Sequence, residues 1–143
     1  MKNFLEALDT NKEIAIEMQL VPISENGFPE ILVKICDQIV HDGSLTQKKN
    51  IHICKDVQDP ISFEIKLRNK QYNKLKETAC VIEKISIDGY EIIPIYQHLC
   101  AYENDHYKKI STSYLGFNGT WKLDIDKPFY IWYHEISGQG MLI

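Results

Sequence analysis

Ile14, Ile16, Met18 and Leu20 alternate with Glu13, Glu17 and Gln19. A period of two sends each set to one face of an extended chain, so this segment predicts a half-buried strand. Pro22 and the loop Ser24-Glu25-Asn26-Gly27 are expected to close it. The pattern returns over 30–36 with Ile31, Val33 and Ile35 inward, followed by a turn signal at Asp42-Gly43. Ile51-His52-Ile53-Cys54 predicts a short strand, and Asp59-Pro60 leads into the clearest one. There Ile61, Phe63, Ile65 and Leu67 alternate with Ser62, Glu64, Lys66 and Arg68, a spacing no helix would gather on one face. Residues 70–78 are polar and read as a loop or short helix. A strand over Cys80–Ile87 hands over at Asp88-Gly89 to a strand over 91–95, whereas 98–113 carries little pattern and reads as a long loop.

The last third recovers the alternation. Trp121, Leu123 and Ile125 face inward, and Thr120, Lys122, Asp124 and Asp126 face out. Phe129-Tyr130-Ile131-Trp132-Tyr133-His134 reads as an aromatic strand, and Gly138-Gln139-Gly140 as a bend before a final strand Met141-Leu142-Ile143, which ties the C-terminus into the sheet. About eight to ten short strands, recurring turn signals and no sustained helical period predict an all-β fold. The expectation is a two-sheet antiparallel β-sandwich, jelly-roll-like, with at most one short helix, formed by residues 1–143 as one domain.

Charge removes one class of partner. The formal net charge is −4, and Arg68 is the sole arginine among 16 basic residues. Nucleic-acid recognition favours basic patches and arginine's planar fork, so no nucleic-acid partner is expected. No stretch reaches the ~20 apolar residues of a membrane-spanning helix. Glu6 and Asp9 interrupt the short apolar start, so it does not read as a secretory signal, and a cytoplasmic or virion-associated location is expected. Cys36, Cys54, Cys80 and Cys100 have no C-x-x-C spacing and read as free thiols in a reducing compartment, with a Cys54–Cys80 cross-strand disulfide as the alternative.

Between residues 30 and 89 a strand Glu30–Cys36, the turn Asp42-Gly43, a strand ending at Arg68-Asn69, a polar insert and a strand closing on Asp88-Gly89 follow one another. This order resembles the calcium-dependent xylan-binding modules and related carbohydrate-binding β-sandwiches. The resemblance implies a sandwich that binds polysaccharide. It also implies a calcium site in an acidic loop, but the matching stretch carries Lys70, Lys74 and Lys76 with Glu77 as its only acid. Calcium needs several oxygen ligands, so the resemblance is carried to the fold and not to the metal, and no cofactor is expected. The segment from Gly116-Phe117-Asn118-Gly119-Thr120-Trp121 to Gly138-Gln139-Gly140 is similar to small bacteriophage proteins of unassigned function.

The candidate chemistry lies in the aromatic strand and its neighbour. With Phe129, Ile131 and Tyr133 inward, alternation sends Tyr130, Trp132 and His134 to the other face, as a platform for sugar rings or a protein partner. If the strand were covered on both sides, these rings would be core instead. Asp124 and Asp126 point outward beside them and could accept hydrogen bonds from sugar hydroxyls, although a charged outer face is also the ordinary way to solvate a strand. Glu83 shares a face with Val81, Ile85 and Ile87, which requires either a buried partner or a bulge. His98, Cys100 and His106 match no zinc template. No G-x-S-x-G, P-loop or G-x-G-x-x-G motif occurs. The expected function is therefore a non-enzymatic, lectin-like module for a polysaccharide. The alternative is a phage or viral-particle assembly protein acting on another subunit, in some cases a second copy of itself. A glycoside hydrolase using Asp124, Asp126 or Glu83 is the weakest of the three readings.

Overall fold

A computed structural model describes residues 13–56, 60–71, 75–93, 99–104, 109–126 and 131–132. Ten strands are described, in two antiparallel sheets. They are β1 (Glu13–Ser24), β2 (Glu30–Ile35), β3 (Gln38–Ser44), β4 (Lys49–Asp56), β5 (Ile61–Leu67), β6 (Thr78–Ile87), β7 (Tyr90–Glu91), β8 (Ala101–Glu103), β9 (Tyr114–Leu115) and β10 (Gly119–Ile125). Sheet I has the order β4-β1-β6-β7, with β9 also paired to β6, and sheet II runs β3-β2-β5-β10-β8. Only β2→β3 and β6→β7 stay within one sheet, and every other connection between consecutive described strands crosses to the opposite one. This is the expected two-sheet sandwich, and the alternation between sheets is the jelly-roll feature of it.

The alternating residues do what their period requires. Ile14, Ile16, Met18 and Leu20 of β1 face Ile61, Phe63, Ile65 and Leu67 of β5 and Trp121, Leu123 and Ile125 of β10 within one buried cluster. The Trp121 indole Nε1–H donates to the Thr112 carbonyl at 2.9 Å, so the largest core side chain leaves no orphan donor.

Several local expectations change. β1 does not stop at Pro22 but runs to Ser24, with Pro22 opposite Cys80. β4 pairs β1 only as far as Leu20, so Pro22 lies where β1 has become an edge and its missing N–H costs no ladder bond. The β2–β3 turn falls at Cys36-Asp37, both with positive φ (52° and 64°), and Asp42-Gly43 lies inside β3. Two left-handed residues in a two-residue loop match the right-handed twist of the strands. Asp88-Gly89 is the turn expected of it. Its aspartate also clamps the neighbouring strand: Asp88 Oδ1 accepts from Ala15 N–H at 2.8 Å and Asp88 N–H donates to the Ala15 carbonyl at 2.8 Å. Asn118-Gly119, a dipeptide that would suit a hairpin turn, instead leads from β9 of sheet I into β10 of sheet II. The weakly patterned 98–113 stretch contains β8, too short to show a period.

Glu83 is resolved by a bulge. Gln19 pairs with Lys84 and Leu20 with Ile82, so Glu83 is the extra residue and is released to solvent, where it meets Lys48 at 2.8 Å. All four cysteines are free. Cys54 sits opposite Ala15 and Cys80 opposite Pro22, on the two flanks of β1 and far apart along it, so the cross-strand disulfide has no geometry to form. Burial pushes the Cys80 thiol up to about 12, which leaves it an inert core side chain.

Of the expected aromatic strand only Ile131 and Trp132 are described, and Phe129, Tyr130, Tyr133 and His134 lie outside the described residues. Ile131 and Trp132 are helical, and Trp132 is 5 % exposed within the core cluster. An indole is large enough to serve as core when its segment packs inward, and the local alternation of apolar residues could not reveal the helical backbone. Trp132→Ala is therefore expected to destabilise the protein by about 3–5 kcal/mol. Urea unfolding followed by far-ultraviolet circular dichroism would show this as a lowered midpoint, whereas a surface platform residue would leave the midpoint unchanged.

Candidate ligand-binding surface

β1 and β5 finish at one end of the sandwich, and β6 and β10 begin there. The connections at that end tie the two sheets together. Asn69 Oδ1 accepts from Glu30 N–H at 2.7 Å while its amide nitrogen donates to the Phe28 carbonyl at 3.2 Å. Asn118 does the same for Lys70, accepting from its N–H at 2.7 Å and donating to its carbonyl at 3.0 Å. Each asparagine side chain imitates a strand neighbour and satisfies backbone groups that no ladder reaches. Tyr102, stacked on Phe117 with ring centroids 4.0 Å apart, donates its hydroxyl proton to the Phe117 carbonyl and accepts from the Phe117 N–H at 3.2 Å.

Lys70 lies at the centre of this end. Its side chain is only 7 % exposed, and its ammonium donates to Glu77 Oε1 and, at 2.6 Å, to the Gly116 carbonyl. Lys70 follows a strand of sheet II and Glu77 precedes one of sheet I, so the ion pair crosses the sandwich. The other oxygen, Glu77 Oε2, accepts from the Tyr114 hydroxyl at 2.7 Å. The Lys70 hydrogen bond, followed by that of Tyr114, holds the Glu77 carboxyl below its usual 4.5. Burial, reinforced by the hydrogen bond to Glu77, pushes the Tyr114 phenol up to about 12.

Tyr114 is the side chain this arrangement presents. It stands opposite Val81, which stands opposite Val21, on the outer face of sheet I. Its ring lies on Gly116, where a β-carbon would sit 2.7 Å from Tyr114 Cε1. Only a residue without Cβ admits that approach. The ring is thus fixed at its hydroxyl and along its edge, yet Tyr114 remains 40 % exposed. Glu25 and Glu77 lie beside it, and the Glu77 N–H donates to Glu25 Oε1 at 3.1 Å. A rigid half-exposed ring with carboxylates at its rim can stack on a C–H face and accept hydrogen bonds from hydroxyls. Phe28 and Leu75 are also exposed in the connections of this end.

The residues expected from sequence are placed differently. Asp124 and Asp126 point outward as expected. Asp124 lies on the outer face of sheet II beside a small cleft of about 170 Å³ shared with Lys34, Ser62 and Lys122, and Lys34 and Lys122 both reach Glu64, at 4.0 and 3.6 Å. Trp132 does not join these aspartates, being core. Tyr130 and His134 lie outside the described residues, as do His98 and His106. Glu83 belongs to sheet I and Asp124 to sheet II, so they do not form a carboxylate pair across a cleft. Among the described residues no group of three or more histidine, cysteine or acidic side chains is arranged to hold a metal. No described helix is long and apolar enough to cross a membrane. Sequence reasoning missed Tyr114 because it borders the unpatterned stretch. The one signal was Gly116 two residues on, beside an inward Leu115. Lys70 was read only as a charge opposing calcium, since nothing local announces that it is buried. Compared with protein-family models, curated proteins and solved structures, the chain finds no match.

The network makes stability depend on pH at both extremes. Glu77 is lowered in the folded state, so its contribution is present above the usual glutamate value and is lost as pH falls through the folded value. Tyr114 is raised, so its contribution is present below the usual tyrosine value of 10.0 and lost as pH rises through about 12. Glu77→Gln is expected to flatten the acid limb of the urea midpoint plotted against pH, and Tyr114→Phe the alkaline limb. An unchanged acid limb in Glu77→Gln would mean the ion pair does not couple the sheets.

Proposed function

We propose that this chain is a non-enzymatic, carbohydrate-binding β-sandwich whose ligand stacks on Tyr114 at the loop end. The observation that carries the reading is the rigid, half-exposed Tyr114 ring, held by Gly116 and Glu77 and flanked by Glu25. A ring already fixed in place loses little side-chain freedom when a sugar stacks on it. Glu77 supports binding over catalysis, since both of its oxygens are engaged and its carboxyl is held ionised, the reverse of a general acid. The likeness of residues 30–89 to xylan-binding modules points the same way. Glu77 is also the only acid in the stretch that would match their calcium loop, and Lys70 occupies it.

A second reading, an assembly subunit of a phage or viral particle, is favoured by Phe28 at 46 % and Leu75 at 89 % exposure, apolar side chains suited to another protein surface. The two readings separate in one experiment. The purified chain is screened against soluble polysaccharides and a glycan array, with and without calcium, and its mass in solution is measured by light scattering. The lectin reading expects a specific hit that is independent of calcium. It is lost in Tyr114→Ala, at least partly kept in Tyr114→Phe, and accompanied by an unchanged mass. A folded protein without any hit, whose mass changes in Tyr114→Ala, would replace this reading by the assembly one.

A further inference from the structure

The sandwich has a second feature on its long side, where β3 edges sheet II and β4 edges sheet I. His41 pairs with the inward Val33, and Lys49 with the inward Leu20, so both polar residues occupy inward positions on edge strands. They meet across the gap, Lys49 Nζ to His41 Nδ1 at 3.0 Å, and His41 Nε2 lies 3.1 Å from the Gly43 carbonyl. An ammonium can only donate and a carbonyl can only accept. In this contact Nδ1 is placed to accept from the ammonium and Nε2–H to donate to the Gly43 carbonyl.

Among the described residues, the Lys49 charge has no carboxylate partner. The neighbouring cation, Lys48, is held outside by Glu83. The acid next to His41, Asp42, points to the opposite face and is taken by Arg68 at 2.6 Å. The connection from β3 to β4 borders an open cleft of about 250 Å³ lined by His41, Ser44, Thr46, Gln47, Lys48 and Lys49, with Leu45 buried beneath it. The Lys49 ammonium, two hydroxyls and an amide border this space, no acid is among its lining residues, and the Lys48 ammonium at its rim is engaged by Glu83.

We propose that this cleft binds a tetrahedral oxyanion, a sulfate or phosphate group, with Lys49 as the principal charge and Ser44 and Thr46 as hydroxyl donors. The site is separate from the Tyr114 surface and does not rest on the lectin reading. The group can arrive as a free ion or as an ester on a larger molecule, and both present the same oxygens to the cleft.

Sodium sulfate and sodium phosphate titrations of the isotope-labelled chain, at ionic strength matched with sodium chloride, test this by nuclear magnetic resonance. Saturable shifts of the His41 ring and of the 44–49 amides are expected, absent with chloride. Lys49→Met, whose side chain suits an inward position, should weaken the affinity by about tenfold, and Lys49→Arg should keep it within about threefold. Should Lys49→Met fail to fold, Lys49→Gln serves as the neutral variant. A dextran sulfate arm distinguishes the sources: tighter binding than free sulfate at these same signals indicates an ester, equal binding a free ion. Shifts no larger than those of chloride, or shifts unchanged in the neutral variant, would overturn the proposal and leave the His41–Lys49 pair as protection of an open edge.

Discussion

The structure depends on two apolar faces meeting between the sheets. Neither sheet can shield its inner side chains alone, and each of the largest, from Trp121 and Phe63 to Ile14 and Met18, becomes fully buried only because the opposite sheet covers it. A fully buried side chain of this kind contributes about 1.5–3 kcal/mol of transfer free energy, and the gain is realised only if every strand keeps its register. A slip of one residue would exchange Ile61, Phe63, Ile65 and Leu67 for Ser62, Glu64, Lys66 and Arg68. The bulges obey the same constraint. At Glu83 the chain inserts one residue so that Ile82 and Ile85 both stay inside while the carboxylate leaves.

Because consecutive strands mostly alternate between sheets, the connections accumulate at the ends and along the open side, where backbone groups have no ladder partner. Polar side chains satisfy them. Asn69 and Asn118 imitate strands, Asp88 clamps β1, and Lys70 with Glu77 ties one sheet to the other. An ion pair with one partner buried, as Lys70 is beside a half-buried Glu77, contributes little unless its remaining hydrogen-bonding capacity is used. Here the Gly116 carbonyl and the Tyr114 hydroxyl use it. The same network that closes the fold therefore makes Tyr114 rigid. The proposed ligand surface is thus a by-product of solving a structural problem at the end of the sandwich.

The outer faces differ in kind. Sheet II presents ion pairs laid across its strands, with Glu64 between Lys34 and Lys122, and Arg68 reaching both Glu30 of the neighbouring β2 and Asp42 of β3 beyond it. Such exposed pairs contribute little to stability and chiefly keep the sheet soluble. On the outside of sheet I, Val21, Val81 and Tyr114 stand in one row at the loop end, an apolar row beside the hydrogen-bonding groups of Glu77 and Glu25.

The sequence by itself determined the strands with a long, clean period, their inward residues, the Asp88-Gly89 turn and hence the two-sheet class. A period of two is a local property of the chain, and burial on one face follows from it directly. It also left only two readings of Glu83, of which the bulge is realised. It did not determine the Cys36-Asp37 turn, whose left-handed backbone is dictated by the two strands it joins. It left open whether Trp132 is platform or core, because an aromatic run has no polar alternation to report which face is covered. Lys70, Tyr114 and the His41–Lys49 contact lay beyond its reach for a further reason. Their partners lie on other strands or connections, and only the packing of one sheet on the other decides which charge is buried, which ring is held and which ammonium meets the imidazole.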